Sequence, residues 1–267
     1  MHKNHTYCFE TGDGQNPYLL GIKGANLCEL TQLGINVPPG FVISSDASRY
    51  FIAARQLPPE LLAEIAEQIA KIETQTGKQF GGDSDPLLFS LSSSTADPAS
   101  NNQETILNIG LNSVTIAGLL EATDDARFVY DAYRRFIHTF GTLVLGIADD
   151  KFNDHFNLVK RSAGINFDSA LNSIQLEDIC YRYLDLVHKE TGQVFPDDVY
   201  QQLEMVLVAS YTFWQTHSET AHELISNTSS DKLSTPAVNI VTMVFGNLGD
   251  DCLIGHCITR NPFTGDN

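Results

Sequence analysis

The chain has 267 residues, enough for one large domain or two modest ones with their own cores. Acidic residues number 33 against 16 basic ones, a formal net charge of -17. Such a surface repels nucleic-acid backbones and anionic membranes, so an anion site has to be built locally. Five cysteines, odd in number and widely spaced, do not make a disulfide framework. Cys252 and Cys257 flank His256, but no second ligand cluster accompanies them, so no zinc site is expected.

The opening MHKNHTYCFETGDG lacks the apolar run of a signal peptide. No stretch reaches the roughly 18 apolar residues that a membrane span needs. A reducing, cytoplasmic setting is expected, with an organelle stroma still compatible.

In chain order, a short strand is predicted at Tyr7–Phe9, followed by a Gly-Asp-Gly turn. A helix over Lys23–Leu33 is predicted, with Leu27, Leu30 and Leu33 on one face and Gly34 ending it. Pro38 and Pro39 forbid helix and lead into a strand at Phe41–Ile43. A short helix follows at Asp46–Ala54. The clearest helix starts at Pro58 and Pro59, is lined by Leu61, Leu62, Ile65, Ile69 and Ile72, and stops at Gly77. PLLFSLSS predicts a buried strand from Leu87. Between Val114 and Gly192 the pattern is helical, and a further helix follows Asp197 and Asp198, acids that suit a helix start. Two strands, Val238–Phe245 and Leu253–Thr259, are predicted at the end.

Gly21, Lys23 and Gly24 stand in front of the first helix. Glycines allow close approach, a helix N-terminus favours an anion, and a lysine supplies a point charge. The stretch is not the GxxxxGK[ST] loop, and Lys23 also reads as a solvated surface group. Taken together, LLGIKGANLCELTQLGINVPPGFVIS, ETILNIGLN, RFVYDAYRRFIHTFG, AVNIVTMVFGNLGDD and TRNPFTGDN resemble the nucleotide-binding domain of the pyruvate, phosphate dikinase family in order and spacing. More distantly, they are similar to that of phosphoenolpyruvate synthase. The resemblance covers essentially the whole chain. It implies an α/β fold with an ATP-grasp-like first lobe, a helical insertion and a truncated second lobe. On that reading residues 1–112 and 197–244 form the first lobe, 113–196 the insertion, and 245–267 the start of the second lobe. The family's activity is ATP-dependent phosphotransfer. It uses ATP, phosphate and magnesium to phosphorylate a histidine on a swivelling domain, and a third domain takes the group to pyruvate.

Within this resemblance Lys23 matches an ATP-phosphate lysine and Arg135 a further phosphate-side arginine. From the residues alone, Arg134 and Arg135 also read as ion partners on a helix face. The departures concentrate in SLSSSTADPAS, Ser90–Ser100, where the family reads close to VRSGARASMPGMMDT. Ser92 and Ala96 replace two phosphate-binding arginines, Ser94 replaces a glycine, and Ala99 and Ser100 replace a Met-Pro pair. Phosphoryl transfer gains most from fixed positive groups, and losing one commonly costs about 3 kcal/mol. A serine hydroxyl bonds a phosphate oxygen without neutralising it. Val241 stands where the family has an adenine-side glutamine, and also reads as a plain β-branched core residue. Thr220 replaces an arginine.

TRNPFTGDN matches the family hinge TRNPSTGEN, beyond which the family carries its magnesium-binding carboxylates. Asp250 and Asp251 are not expected to substitute for them, nor His256 for the phosphorylated histidine. The expectation is a degenerate, non-catalytic binding or regulatory domain, inactive alone. It would keep weak ATP affinity at Lys23 and Arg135, with no catalytic residue and no metal site of its own. One alternative is a kinase component completed by a partner chain, or by a full-length dikinase-like protein, that supplies the carboxylates and the histidine. Another is a structural or interaction protein without a ligand. No nucleic-acid or membrane partner is expected.

Overall fold

The computed structural model describes residues 4–97, 105–217, 235–249, 252–255, 260–261 and 264–265. Ala99, Ser100, Thr220, Asp250, Asp251, His256 and Cys257 lie outside the described residues. The elements run β1 (Thr6–Cys8), α1 (Pro17–Gln32), β2 (Gly40–Ile43), α2 (Ser45–Ala54), α3 (Leu61–Thr76), β3 (Phe89–Ser94) and β4 (Thr105–Ile109). They continue with α4 (Ser113–Thr123), α5 (Ala126–Leu143), α6 (Asp149–Ser162), α7 (Ser173–Thr191), α8 (Val199–His217) and β5 (Ala237–Thr242). The result is a mixed α/β fold around an antiparallel sheet of order β1-β2-β5-β3-β4.

Alternation along the strands gives the sheet two different faces. Phe41 and Ile43, Phe89 and Leu91, and Val238 and Ile240 join the large core that α2, α3, α5, α7 and α8 complete. Val42 and Ala237 point the other way, into a smaller core closed by Phe9 and by Leu20, Ala25 and Cys28 of α1. α1 and the main helical layer therefore cover opposite faces.

Local signals account for several helix ends. Asn112 and Asn172 form capping boxes at α4 and α7, Asp125 caps α5, and Gly77 and Gly192 end α3 and α7 with φ of 73° and 71°. Asp198 accepts from the N–H groups of Tyr200 and Gln201 at the start of α8. In α3, Leu61, Ile65, Ile69 and Ile72 are buried as predicted, while Leu62 faces out.

Other expectations fail. The stripe predicted for α1 is only partly its buried face: Leu27 is half-buried against the smaller core, but Leu33 is 70% exposed and Leu30 faces out, whereas Leu20, Gly24, Ala25 and Cys28 are buried. The helix lies so close to the sheet that a Cβ on Gly24 would sit 2.8 Å from Asn239 Oδ1 and 2.9 Å from Val42. Only small residues fit along that line. β3 starts at Phe89, with Leu87 making an isolated bridge to Phe80. β5 ends at Thr242. Residues 252–255 form no strand, and Leu253 and Ile254 are exposed there; the rest of that predicted strand lies outside the described residues. β4 went unpredicted. It carries Asn108 at φ 63°, and its register with β3 shifts between Phe89 and Leu91. Among the described residues no helix is long and apolar enough to cross a membrane.

Candidate functional site

The smaller core ends in a polar patch. Ser90, Ser92 and Ser94 of β3 stand opposite Val241, Asn239 and Ala237 of β5, so these residues share the sheet face that α1 covers. The serines continue the strand predicted from Leu87, and the structure gives them partners. Ser92 and Ser94 are each 2% exposed and serve as partners for the start of α1.

Gly21 sets that contact. Its φ of 67° and ψ of 162° interrupt the helix, so Ile22–Gln32 begins as a fresh helical start. A Cβ there would lie 2.3 Å from Ser94 Oγ and 2.4 Å from Ser94 O. Three donors at this start are already engaged. Ile22 N–H donates to Thr95 O at 3.0 Å, Lys23 N–H to Ser94 Oγ at 3.3 Å, and the Lys23 ammonium to Ser92 Oγ at 2.6 Å. The end of β3 and Thr95 thus hold groups that an anion at a helix N-terminus would use. Burial lowers the pKa of Lys23.

Asn239 was missed by sequence reasoning. Its Nδ2 donates to Ser92 O at 3.1 Å, which ties β5 to the lysine's partner, while its buried Oδ1 has no hydrogen-bond partner among the described residues. The available signal was an amide between Val238 and Ile240 in an otherwise apolar strand. Val241 is half-buried, packs on the smaller core, and accepts from Ser90 Oγ through its carbonyl. After β3 the chain turns, with Thr95 Oγ1 donating to Asp97 O across Ala96.

Arg135 is placed elsewhere. It projects from α5 with 61% of its side chain exposed and bonds Asp131 Oδ2 through Nε at 2.8 Å. Arg134 is buried, pairs with Asp131 Oδ1 at 2.6 Å and stacks 4.6 Å above the Phe156 ring. Burial alone would raise the Asp131 pKa, but the two guanidinium groups outweigh it and hold the carboxyl below its ordinary value. The apolar side of α5 belongs to the large core, across the sheet from α1. Lys23, Ser92, Ser94, Asn239 and Val241 are brought together, and Arg135 is not among them. Among the described residues no three His, Cys, Asp or Glu side chains gather as a metal site.

Residues 18–77, which contain Gly21 and Lys23, match the family described as pyruvate phosphate dikinase, AMP/ATP-binding domain. Over 262 residues the chain is 36% identical to the pyruvate, phosphate dikinase of Entamoeba histolytica, covering 98% of this chain and 30% of that protein. It is 38% identical to the chloroplastic pyruvate, phosphate dikinase 1 of Arabidopsis thaliana and 37% identical to the chloroplastic enzyme of Flaveria trinervia. Each of these matches covers 93% of this chain and 26% of the relative. The chain is a homologue of the AMP/ATP-binding domain of the pyruvate, phosphate dikinases, and spans 26% to 30% of the length of these relatives.

Proposed function

We propose that this chain is a degenerate, ATP-grasp-like nucleotide-binding lobe that binds ATP weakly through Lys23 and does not transfer phosphate by itself. The contact between the Lys23 ammonium and Ser92 Oγ at 2.6 Å carries this reading. In the dikinase pattern an arginine stands at position 92. Here the lysine is held by a neutral hydroxyl, and no second cation joins it from Arg135. Phosphates would meet one partly buried ammonium and a helix start whose first donors are spoken for. That donor set does not fit a triphosphate held for transfer. An ammonium carries three N–H donors, and those not given to Ser92 support a weak contact with one phosphate oxygen.

Calorimetry with Mg-ATP, paired with a phosphate-release assay on the purified chain, tests this. Binding no tighter than about 100 μM, near 5.5 kcal/mol, is expected, with release at background and the binding heat lost in Lys23→Met. Micromolar affinity with turnover would overturn the non-catalytic reading. Binding that survives Lys23→Met would overturn the assignment of the lysine.

A further inference from the structure

Helices α4, α5 and α7 surround a cavity of ≈ 270 Å³, on the side of the sheet away from Lys23. Its walls divide by chemistry. α4 contributes aliphatic surface, including Ile116 and Ala117, while α5 and α7 contribute Tyr130, Tyr133 and Tyr181. Among the described residues, Glu177 is the carboxylate in the lining, and no lysine or arginine lines the cavity.

The carboxylate is held in place. Tyr130 donates its hydroxyl to Glu177 Oε1 at 2.9 Å, bridging α5 and α7 at the cavity wall. Burial, and then the hydrogen bond and negative charge of Glu177, push the Tyr130 phenol up to about 12, so it remains a donor at neutral pH. Cys180 lies in the same wall, but its thiol donates to Tyr130 O at 3.4 Å and burial keeps it protonated. It is therefore an apolar neighbour and not a nucleophile. A carboxylate with one oxygen committed to a tyrosine has its second oxygen for a ligand.

We propose that this cavity is a binding site for a small organic ammonium, with an apolar or aryl body lying against α4 and the tyrosines and its charged head at Glu177. Small-molecule sites combine an apolar lining with a few placed polar groups, and this lining follows that pattern. Tyrosine faces attract ammonium groups in addition to the carboxylate. An anion would meet Glu177 without a compensating cation, in a chain of net charge -17. The site is independent of any nucleotide contact at Lys23.

Titrations followed by chemical-shift changes, with 2-phenylethylammonium, the neutral 2-phenylethanol and the anionic 3-phenylpropionate, test the assignment. The ammonium is expected to bind at least about tenfold tighter than the alcohol, a difference near 1.4 kcal/mol. The carboxylate compound is expected to bind weakest. Glu177→Gln is expected to bring the ammonium down to the affinity of the alcohol. Ala117→Leu, at an exposed α4 position lining the cavity, narrows it and is expected to weaken both ligands about tenfold while the far-ultraviolet spectrum and melting temperature stay near those of the parent. Equal affinity for ammonium and alcohol, a preference that survives Glu177→Gln, or no saturable binding would each overturn the proposal. So would shifts centred away from α4, α5 and α7.

Discussion

Replacing Gly21 with alanine probes the contact on which the α1–β3 patch rests. The residue sits at φ 67° and ψ 162°, a region of backbone space that is essentially glycine's own, and an alanine held there costs about 1–3 kcal/mol. The new Cβ would also lie 2.3 Å from Ser94 Oγ and 2.4 Å from Ser94 O. The hydroxyl could rotate, but the carbonyl belongs to a residue paired with Ala237 in the sheet and has little room to retreat. Separating the two segments gives up Ile22 N–H to Thr95 O and Lys23 N–H to Ser94 Oγ, each contributing about 0.5–1.5 kcal/mol. Against this, alanine restricts the unfolded chain and returns about 0.4–1 kcal/mol. The net expectation is a loss of about 3 kcal/mol. Gly34→Ala is the matched control, because Gly34 also has positive φ, 79°, but nothing lies within 4 Å of its absent Cβ. Its cost is the left-handed backbone alone, about 1 kcal/mol. Urea denaturation of both variants, compared at equal slope, should separate them by about 2 kcal/mol. Losses within about 0.5 kcal/mol of each other would refute the close approach as the cause.

Asp131→Asn leaves the buried Arg134 without its carboxylate, so a loss of about 3 kcal/mol is expected, against under about 0.5 kcal/mol for Arg135→Ala at its exposed position. Because the Asp131 pKa is lowered from 3.8, its stabilisation is complete above that value and is lost as pH falls through the folded value. The gap between parent and Asp131→Asn in denaturant melts should therefore close in acid; a gap independent of pH would contradict the ion pair. Lys23 has the opposite sign. Burial lowers its pKa from 10.5, so just below that pH the unfolded chain holds the extra proton and stability rises with pH. Lys23→Met should remove that increment, so the parent gains on the variant as melts are run closer to 10.5; a constant or narrowing difference would count against a desolvated lysine.

Much of the helical framework was legible from residues a few positions apart. The Leu61, Ile65, Ile69, Ile72 stripe marks α3, and Gly77 and Gly192 mark helix ends, because helix periodicity and caps are decided by neighbours within about one turn. Pro38 and Pro39 likewise confine their own backbone and announce β2. The resemblance carried by LLGIKGANLCEL and its companion stretches singled out Lys23 and the serine stretch separately, and the fold brings the two together. The resemblance also suggested a phosphate-side role for Arg135, whose side chain instead pairs with Asp131 on a helix across the sheet.

What tertiary structure decided was pairing between distant segments. The apolar pattern of α1 pointed to Leu30 and Leu33, but the helix is interrupted at Gly21 and packs so closely at Gly24 that its buried line runs through small residues. β4 was hidden because its left-handed Asn108 and shifted register blur the alternation that announces a strand. Asn239 acquires its role only when β5 inserts between β2 and β3, which sets its amide against Ser92, 147 residues earlier in the chain. Spacing in sequence shows which residue types can bond; which of them do bond depends on strand order and on which face each side chain takes, and both are set by burial of the whole sheet.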